Sequence, residues 1–229
     1  MVQERIPAPT CPCGHVFVLN RPETLIARRP EDHNADVLSP SFEMYRCPRC
    51  GTQHPIAQPF ILYDSSLGWF LEVRLESSRA QWMETELALA AKLAKMGMNG
   101  ENAPPIDARL VFGHAELREK LLLRFLGLDD RWIEAWKLEE ARRRMPDLGE
   151  GEILRVTHFH PTRGRLLLQA TSRPSSQSPP PVLELSFQDF SCWRKKREEV
   201  KENWPELFDQ LYVNAARYLL DFEDQQTIQ

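Results

Sequence analysis

The sequence predicts an α+β fold in two parts, an antiparallel β module at residues 8–76 and a mixed helical and β-hairpin region at residues 77–229. Three observations predict it. Short apolar segments bounded by turn residues occupy the first part, which also holds two pairs of cysteines. Apolar residues recur at helical spacing through much of the second part, and a period of two returns after residue 152. The 229 residues exceed the roughly 100 to 200 that one core commonly organises, so two folding units are expected.

The two cysteine pairs are the strongest chemical signal. The first is Cys11-Pro12-Cys13-Gly14-His15 and the second is Cys47-Pro48-Arg49-Cys50-Gly51, with 33 residues between Cys13 and Cys47. Thiolates bind zinc tetrahedrally, and two close pairs brought together by the fold supply four ligands. Proline restricts one φ angle in each turn, and the glycine after the last cysteine permits φ > 0. We predict one structural Zn²⁺ in a zinc-ribbon-like module, bound by Cys11, Cys13, Cys47 and Cys50.

Alternatives to this ligand set follow from the first pair, which is Cys-x-Cys and one residue shorter than the second. The short spacing strains chelation by both sulfurs, so His15 is a substitute ligand for Cys11 or Cys13. Two reduced structural turns, or a redox dithiol at Cys47 and Cys50, are less favoured because no βαβ pattern lies beside them. A closed four-thiolate site leaves no position for water or substrate, which predicts a structural rather than a catalytic metal.

Strands of the β module are predicted where apolar and polar residues alternate: His15–Asn20, Phe42–Cys47, Gln58–Tyr63 and Gly68–Leu75. These four form the zinc-ribbon-like sheet. The stretch at residues 21–40 is predicted to be a polar loop.

Helices and one strand are predicted next along the chain. Ser78 and Gln81 resemble a capping box for a helix at residues 79–97, on which apolar residues recur at Met83, Leu87, Ala90, Ala91 and Ala94. A strand follows at Ala108–Phe112. The second helix has its inner stripe at Leu117, Leu121, Leu122 and Phe125 and ends at Gly127. The third begins at Asp129 and Asp130, buries Trp132, Ile133 and Trp136, ends near Pro146, and packs against the second as a hairpin.

The C-terminal part is predicted to return to strands before a last helix. A β-hairpin joins Ile153–Phe159 to Arg165–Ala170, and a further strand covers Val182–Ser186. Residues 172–181, rich in Ser and Pro, form a flexible loop. After Pro205, one helical face carries Leu207, Phe208, Leu211, Tyr212, Ala215, Tyr218 and Leu219.

Three groups of residues together resemble the CpXC domain family of bacteria and archaea: the cysteine pairs, Phe60–Asp64, and Glu116–Lys120 followed by Gly127–Arg131. The resemblance covers about residues 8–140. It implies a metal-binding cysteine module and no particular reaction. The second pair matches the family's Cys-Pro-x-Cys, whereas the first is one residue shorter. Residues 141–229 lie outside the resemblance, so we expect this region to determine the protein's choice of partner.

Composition narrows the function classes. No apolar run is long enough for a membrane span and no secretory signal is present, so we expect a cytoplasmic protein. The net charge of −4 gives no global attraction to nucleic acid. Gly-rich phosphate loops, Gly-x-Ser-x-Gly and His-Glu-x-x-His are missing from the sequence. We predict a non-enzymatic adaptor without catalytic residues, which binds a protein partner or self-associates.

A nucleic-acid-binding zinc-ribbon protein is the alternative function. The basic segment 194–201, which includes Arg194, Lys195, Lys196 and Arg197, could contact phosphates while Trp193 stacks on a base. The acidic residues Glu198, Glu199 and Glu202 follow at once, which favours a solvated helix face instead.

Other candidate sites have simpler structural explanations. His158 and His160 share one face of a strand and could bind a second metal, but no third ligand is near in sequence. An enzyme with an inter-domain cleft could use the charged residues Glu116, Arg118, Glu119, Asp129, Asp130 and Arg131. Helix caps and ion pairs explain these residues more simply. Cys192 is predicted to be a half-buried core thiol.

Overall fold

A computed structural model describes residues 10–16, 24–27, 42, 44–55, 58–64, 68–98, 106–145, 153–170, 182–215 and 217–218. The chain forms two compact units, Met1–Arg118 and Glu119–Gln229. Helices occur together with small antiparallel and mixed sheets, which confirms the α+β class. Within the described ranges, no helix has both the length and the apolar character needed to cross a bilayer.

The first unit contains a four-stranded sheet. Its strands are β1 (Thr24–Ala27), β4 (Phe60–Asp64), β5 (Trp69–Arg74) and β6 (Asp107–Phe112), in the order β1-β4-β5-β6. The outer pairs are parallel and the central pair is antiparallel. Strand β6 pairs with β5 along its whole length, which joins it to the other strands of this sheet. Buried apolar residues of the sheet include Phe60, Leu62, Leu71, Val73, Leu110, Val111 and Phe112.

Three strands of this sheet were predicted and the fourth was not. β4, β5 and β6 match the predicted segments within two residues. The expected polar loop at residues 21–40 is wrong at Thr24–Ala27, where the chain forms β1. This strand is four residues long and pairs in parallel with β4, more than thirty residues away in sequence. A short strand whose partner is distant carries too little local periodicity to be recognised.

A separate two-stranded sheet lies beside the second cysteine pair. It joins β2 (Met44–Arg46) to β3 (Gln53–Pro55) in antiparallel register. The predicted single sheet therefore divides in two, since β2 pairs with β3 and not with β4 or β5. At the first pair, Thr10 and Val16 form one antiparallel bridge, and most of the predicted strand His15–Asn20 lies outside the described residues.

The first long helix begins differently from the prediction. A 3-10 helix at Glu76–Gln81 leads into α1 (Trp82–Lys95). The predicted capping box is wrong, because Ser78 lies within the 3-10 helix and its hydroxyl donates to the Leu75 carbonyl at 2.8 Å. The buried face of α1 consists of Trp82, Glu86, Leu89 and Leu93. Met83 and Leu87, which belong to the stripe found in the sequence, are 57% and 72% exposed.

The next two helices confirm the predicted pair. They are α2 (Gly113–Phe125) and α3 (Asp130–Arg144). Asp129 caps α3, since its carboxylate accepts from the Arg131 amide at 3.0 Å. Trp132, Ile133 and Trp136 are buried as predicted. The prediction that Phe125 faces inward is wrong: its side chain is 74% exposed, while Leu123 is fully buried.

The second unit contains a three-stranded antiparallel sheet in the order β7-β8-β9. The strands β7 (Leu154–His160), β8 (Arg165–Ala170) and β9 (Val182–Ser186) confirm the predicted hairpin and the strand after it. The predicted Ser/Pro loop at 172–181 lies outside the described residues. Three short helices follow: α4 (Phe187–Trp193), α5 (Arg197–Asn203) and α6 (Pro205–Asp209). The core includes Trp136, Leu154, Leu166, Leu168, Leu185, Phe190, Leu207 and Val213.

Charged side chains are buried between α2 and α3. Glu119, Lys120, Glu134 and Lys137 are each at most 1% exposed. The Lys137 ammonium lies 2.9 Å from a Glu134 oxygen and also contacts Glu119, while the Lys120 ammonium lies 3.2 Å from Glu134. Burial raises the pKa of Glu119, and the charge of Lys137 opposes that rise. Each of these charges therefore depends on a partner, because an uncompensated buried charge is strongly destabilising.

This charge network explains why the predicted long C-terminal helix is wrong. Helix α6 ends at Asp209, and Gln210 has extended backbone angles. The buried residues Tyr212 to Ala215 are not helical, and helical backbone returns only at Arg217 and Tyr218. The Val213 carbonyl accepts from Lys120, and the Ala215 amide donates to Glu134 at 2.9 Å. A continuous helix would have used these backbone groups internally. The side chains of Lys120 and Glu134, which are far away in the sequence, bind these two backbone groups instead. The spacing of apolar residues near the C-terminus contains no sign of such long-range contacts.

Replacement of Lys137 by methionine tests the network. The Lys137→Met variant leaves Glu119 and Glu134 with less positive charge, so we expect the free energy of unfolding to fall by about 3–5 kcal/mol. Urea unfolding followed by tryptophan fluorescence measures it. The control is Arg143→Met on the same helix, where a 63% exposed side chain pairs with Glu140 and the expected loss is below about 1 kcal/mol. Equal losses in the two variants would contradict the assigned role.

Candidate metal centre

Four sulfur atoms converge in the first unit. The Sγ atoms of Cys11, Cys13, Cys47 and Cys50 all lie within 4.8 Å of one another. Cys11 and Cys50 are 3.4 Å apart and Cys13 and Cys47 are 3.8 Å apart. A tetrahedron with zinc–sulfur bonds of about 2.3 Å has sulfur–sulfur edges of roughly 3.8 Å. The four cysteines are unoxidised and could hold one metal ion.

The second cysteine pair forms a turn closed by two backbone hydrogen bonds. The Gly51 amide donates to the Cys47 carbonyl at 2.8 Å, and the Cys47 amide donates to the Thr52 carbonyl at 2.8 Å. Gly51 has φ +75°, a conformation that side-chain-bearing residues rarely adopt. The glycine after Cys50 therefore lets the chain reverse beneath the sulfurs.

The first pair forms the same kind of turn with one residue fewer. The Gly14 amide donates to the Cys11 carbonyl at 2.8 Å, and the Cys11 amide donates to the His15 carbonyl at 2.9 Å. Gly14 has φ +79°. Shortening the pair to Cys-x-Cys thus keeps both closing hydrogen bonds and still directs Cys11 and Cys13 into the cluster. The cluster that could hold a metal does not include His15.

Three side chains around the cluster were not foreseen. The Arg49 guanidinium donates to the Cys13 carbonyl at 3.2 Å and so ties one turn to the other. Arg46 donates to the Gly51 carbonyl at 3.3 Å. His54, on β3, places Nε2 3.1 Å from the Cys11 sulfur. No spacing rule in the sequence distinguishes His54, because its position depends on the unpredicted pairing of β2 with β3.

The four thiols differ in exposure, and the pKa values of Cys11 and Cys50 are shifted in opposite directions. Cys11 and Cys47 are buried, Cys13 is half-buried and Cys50 is exposed. Hydrogen bonds from the Thr52 side chain and backbone, with a further one from Cys11, lower the pKa of Cys50 to about 6. A backbone bond from Cys13 lowers the pKa of Cys11, but burial and the three neighbouring thiols outweigh it and raise that pKa to about 12. Only a cation among the sulfurs would favour all four as thiolates.

The basic segment and the tryptophan before it lie in the second unit, where some of their side chains contact aromatic and acidic neighbours. The Trp193 indole donates to Glu139 at 2.7 Å, and its ring stacks on Phe190 with centroids 6.0 Å apart. The Arg194 guanidinium lies over the Trp132 ring at 5.6 Å. Lys195 and Lys196 are exposed. The tryptophan that the nucleic-acid alternative would stack on a base thus contacts Glu139 and Phe190 within the second unit.

The two histidines of β7 do share one face. A β-bulge between Val156 and His158 shifts the alternation, and the rings of His158 and His160 lie 4.6 Å apart. Among the described residues, the four cysteines form the only group of three or more potential ligands. Cys192 is exposed, so its prediction as a half-buried thiol is wrong.

The charged residues considered for catalysis have structural partners. Glu116 pairs with Arg79 at 2.7 Å, and Asp130 pairs with Lys120 at 2.9 Å. Asp129 caps α3 and also binds the Arg131 side chain at 2.9 Å. Together with the buried position of Glu119, these contacts support the explanation by helix caps and ion pairs.

Substitution of Gly51 tests the turn geometry. Gly51→Ala places a Cβ at φ +75°, with only Arg46 side-chain atoms near it at 3.6 Å, so the cost is conformational. Strain of about 1–2 kcal/mol predicts a roughly 5- to 30-fold loss of metal affinity, measured by competition with a chromophoric chelator. Gly97→Ala is the matched control, since Gly97 has φ +70° and open space but follows α1. Unchanged affinity in Gly51→Ala, or an equal loss in the control, would count against this role.

Comparison with known proteins agrees with the site. The family model described as CpXC protein matches residues 10–137, which is more than half of the chain. The match includes both cysteine pairs, the sheet strands β4 to β6, helix α2 and the first half of α3. Neither the curated proteins nor the solved structures give a match. The chain belongs to the CpXC family.

Proposed function

We propose that the protein binds one structural Zn²⁺ through Cys11, Cys13, Cys47 and Cys50 and acts as a non-enzymatic adaptor for protein chains in the cytoplasm. The observation that carries the metal assignment is the convergence of four unoxidised thiols within 4.8 Å. Soft thiolate ligands favour zinc over magnesium and calcium, which prefer oxygen ligands. Free cysteines also suit a reducing compartment.

The structural role follows from the closed ligand set. Four protein thiolates fill a tetrahedral zinc ion and leave no position for a substrate or a reactive water. Around the site the secondary structure is slight: β2 and β3 have three residues each, and the buried residues of the local cluster are Cys11 and Cys47. Segments with so small a core commonly depend on a metal or disulfides. The ion would join two turns that are 33 residues apart in the chain.

Exposed apolar side chains support a role in protein interaction. Among the described residues, the large apolar side chains that are at least half exposed are Val16, Met83, Leu87, Met96, Phe125 and Val182. Isolated apolar residues on a surface are ordinary, but several on one helix face mark a contact surface. Met83 and Leu87 are four residues apart on α1, which places them on the same side of the helix.

Metal analysis tests the proposed site. We expect about one zinc per chain in the purified protein and most of it to be lost in Cys47→Ser, because three thiolates bind zinc less tightly than four. Elemental analysis by mass spectrometry gives the stoichiometry. Cys192→Ser, which changes an exposed cysteine outside the cluster, should retain the zinc. A folded wild-type protein without metal would refute the site.

An interaction assay separates the adaptor from the nucleic-acid alternative. The adaptor role predicts a stoichiometric complex with another protein or with a second copy of this chain, and no mobility shift with DNA or RNA at low salt. The alternative predicts a salt-dependent shift that weakens when Lys195 and Lys196 are changed to glutamate. Such a shift, without any protein complex, would overturn the adaptor role.

A further inference from the structure

Helix α1 has two apolar faces, and the first unit buries one of them. The buried face is Trp82, Glu86, Leu89 and Leu93. The second face, here called the outer stripe, consists of Met83, Leu87, Ala90, Ala91 and Ala94. These residues follow the i, i+4, i+7, i+8, i+11 spacing of one helix side. Met83 is 57% and Leu87 is 72% exposed, and Ala91 and Ala94 are exposed as well.

Large and small residues are segregated along the outer stripe. Met83 and Leu87 lie in the N-terminal half of α1, whereas the three alanines lie in the C-terminal half. The exposed charges are divided in the same way, with an acidic residue in the N-terminal half of α1 and a basic residue in the C-terminal half. Glu84 and Lys95 are both exposed and lie eleven residues apart, so at about 100° per residue they lie within roughly 20° of each other on one edge of the stripe.

We propose that the outer stripe binds the outer stripe of a second copy of this chain, with the two helices antiparallel about a two-fold axis. In that orientation Leu87 packs against the partner's Ala90 and Ala91, and Met83 packs against the partner's Ala94. Small residues opposite large ones let two helices approach closely without voids. A two-fold axis repeats each contact twice.

Electrostatics selects the same orientation. The antiparallel pair places Glu84 beside the partner's Lys95 at both ends of the contact. A parallel pair about a two-fold axis would put the edge that carries Glu84 and Lys95 on opposite sides of the contact in the two copies, so these side chains would not meet. It would also place Leu87 against the partner's Leu87 and leave the alanines to face one another across a gap. Complementary charges at an interface rim fix its register, and only the antiparallel pair brings them together.

The size of the contact predicts a reversible dimer. One pair of 14-residue helices buries less than the about 1,200 Å² typical of stable complexes, so association should depend on protein concentration. The dimer supplies a partner for the proposed interaction role, but it does not require the metal site. The metal content and the oligomeric state can therefore be measured separately on the same sample.

Sedimentation velocity of the full-length, metal-loaded protein over a range of concentrations tests the dimer. We expect a monomer–dimer equilibrium, and in Leu87→Glu an association constant lower by about 10-fold or more, because a charge replaces the largest apolar contact. Met96→Glu is the matched control: Met96 is 50% exposed at the end of the same helix but lies outside the stripe. It should associate as the wild type does. Circular dichroism and zinc content verify that each variant is folded.

Charge exchange tests the antiparallel orientation. Glu84→Lys and Lys95→Glu should each weaken self-association, whereas an equimolar mixture of the two variants should restore it, since every contact then joins opposite charges. A wild-type protein that stays monomeric while it carries one zinc per chain would overturn the dimer and leave the metal site intact. A dimer unaffected by Leu87→Glu, or a different protein bound by the outer stripe, would overturn it as well.

Discussion

Mutual repulsion among four thiolates is the constraint on which the N-terminal part of the chain depends. Sulfur atoms held within 4.8 Å cannot all lose their protons unless a cation lies among them. Among the described residues, the contacts around the two turns that present them are a pair of three-residue strands, one isolated bridge, the bond from Arg49 to the Cys13 carbonyl and the contact of His54 with the Cys11 sulfur. A bound cation converts that repulsion into the principal attraction of the segment.

The second unit also buries like charges close together, and lysine side chains compensate them. Glu119 and Glu134 are as deeply buried as Cys11, yet their compensating charges come from Lys120 and Lys137 on the same two helices. The two carboxylates also accept hydrogen bonds from backbone amides: Glu119 accepts from the Val156 amide, and Glu134 accepts from the Ala215 amide. Because a buried charge must be both paired and hydrogen-bonded, the network fixes where β7 and the C-terminal segment lie.

Local chemistry explains which features could be predicted. Thiol ligands that bind one metal often lie close together in sequence, so the sequence alone predicts both cysteine pairs. Strong apolar periodicity likewise predicts β6, α2, α3 and the β7–β8 hairpin. On α1 the sequence contains two apolar stripes, and nothing local shows which one the sheet will cover. The stripe that the periodicity predicts to be buried is the exposed one. β1, His54 and the end of α6 depend on partners far along the chain. Their positions follow from long-range hydrogen bonds that no sequence window contains.

The zinc K-edge X-ray absorption spectrum of the purified protein is the most direct test of the four-thiolate site. Coordination by Cys11, Cys13, Cys47 and Cys50 predicts four sulfur scatterers at about 2.3 Å and no lighter atom in the first shell. A nitrogen scatterer at about 2.0–2.1 Å in place of a sulfur would contradict it and would indicate that a histidine, such as His15 or His54, completes the site.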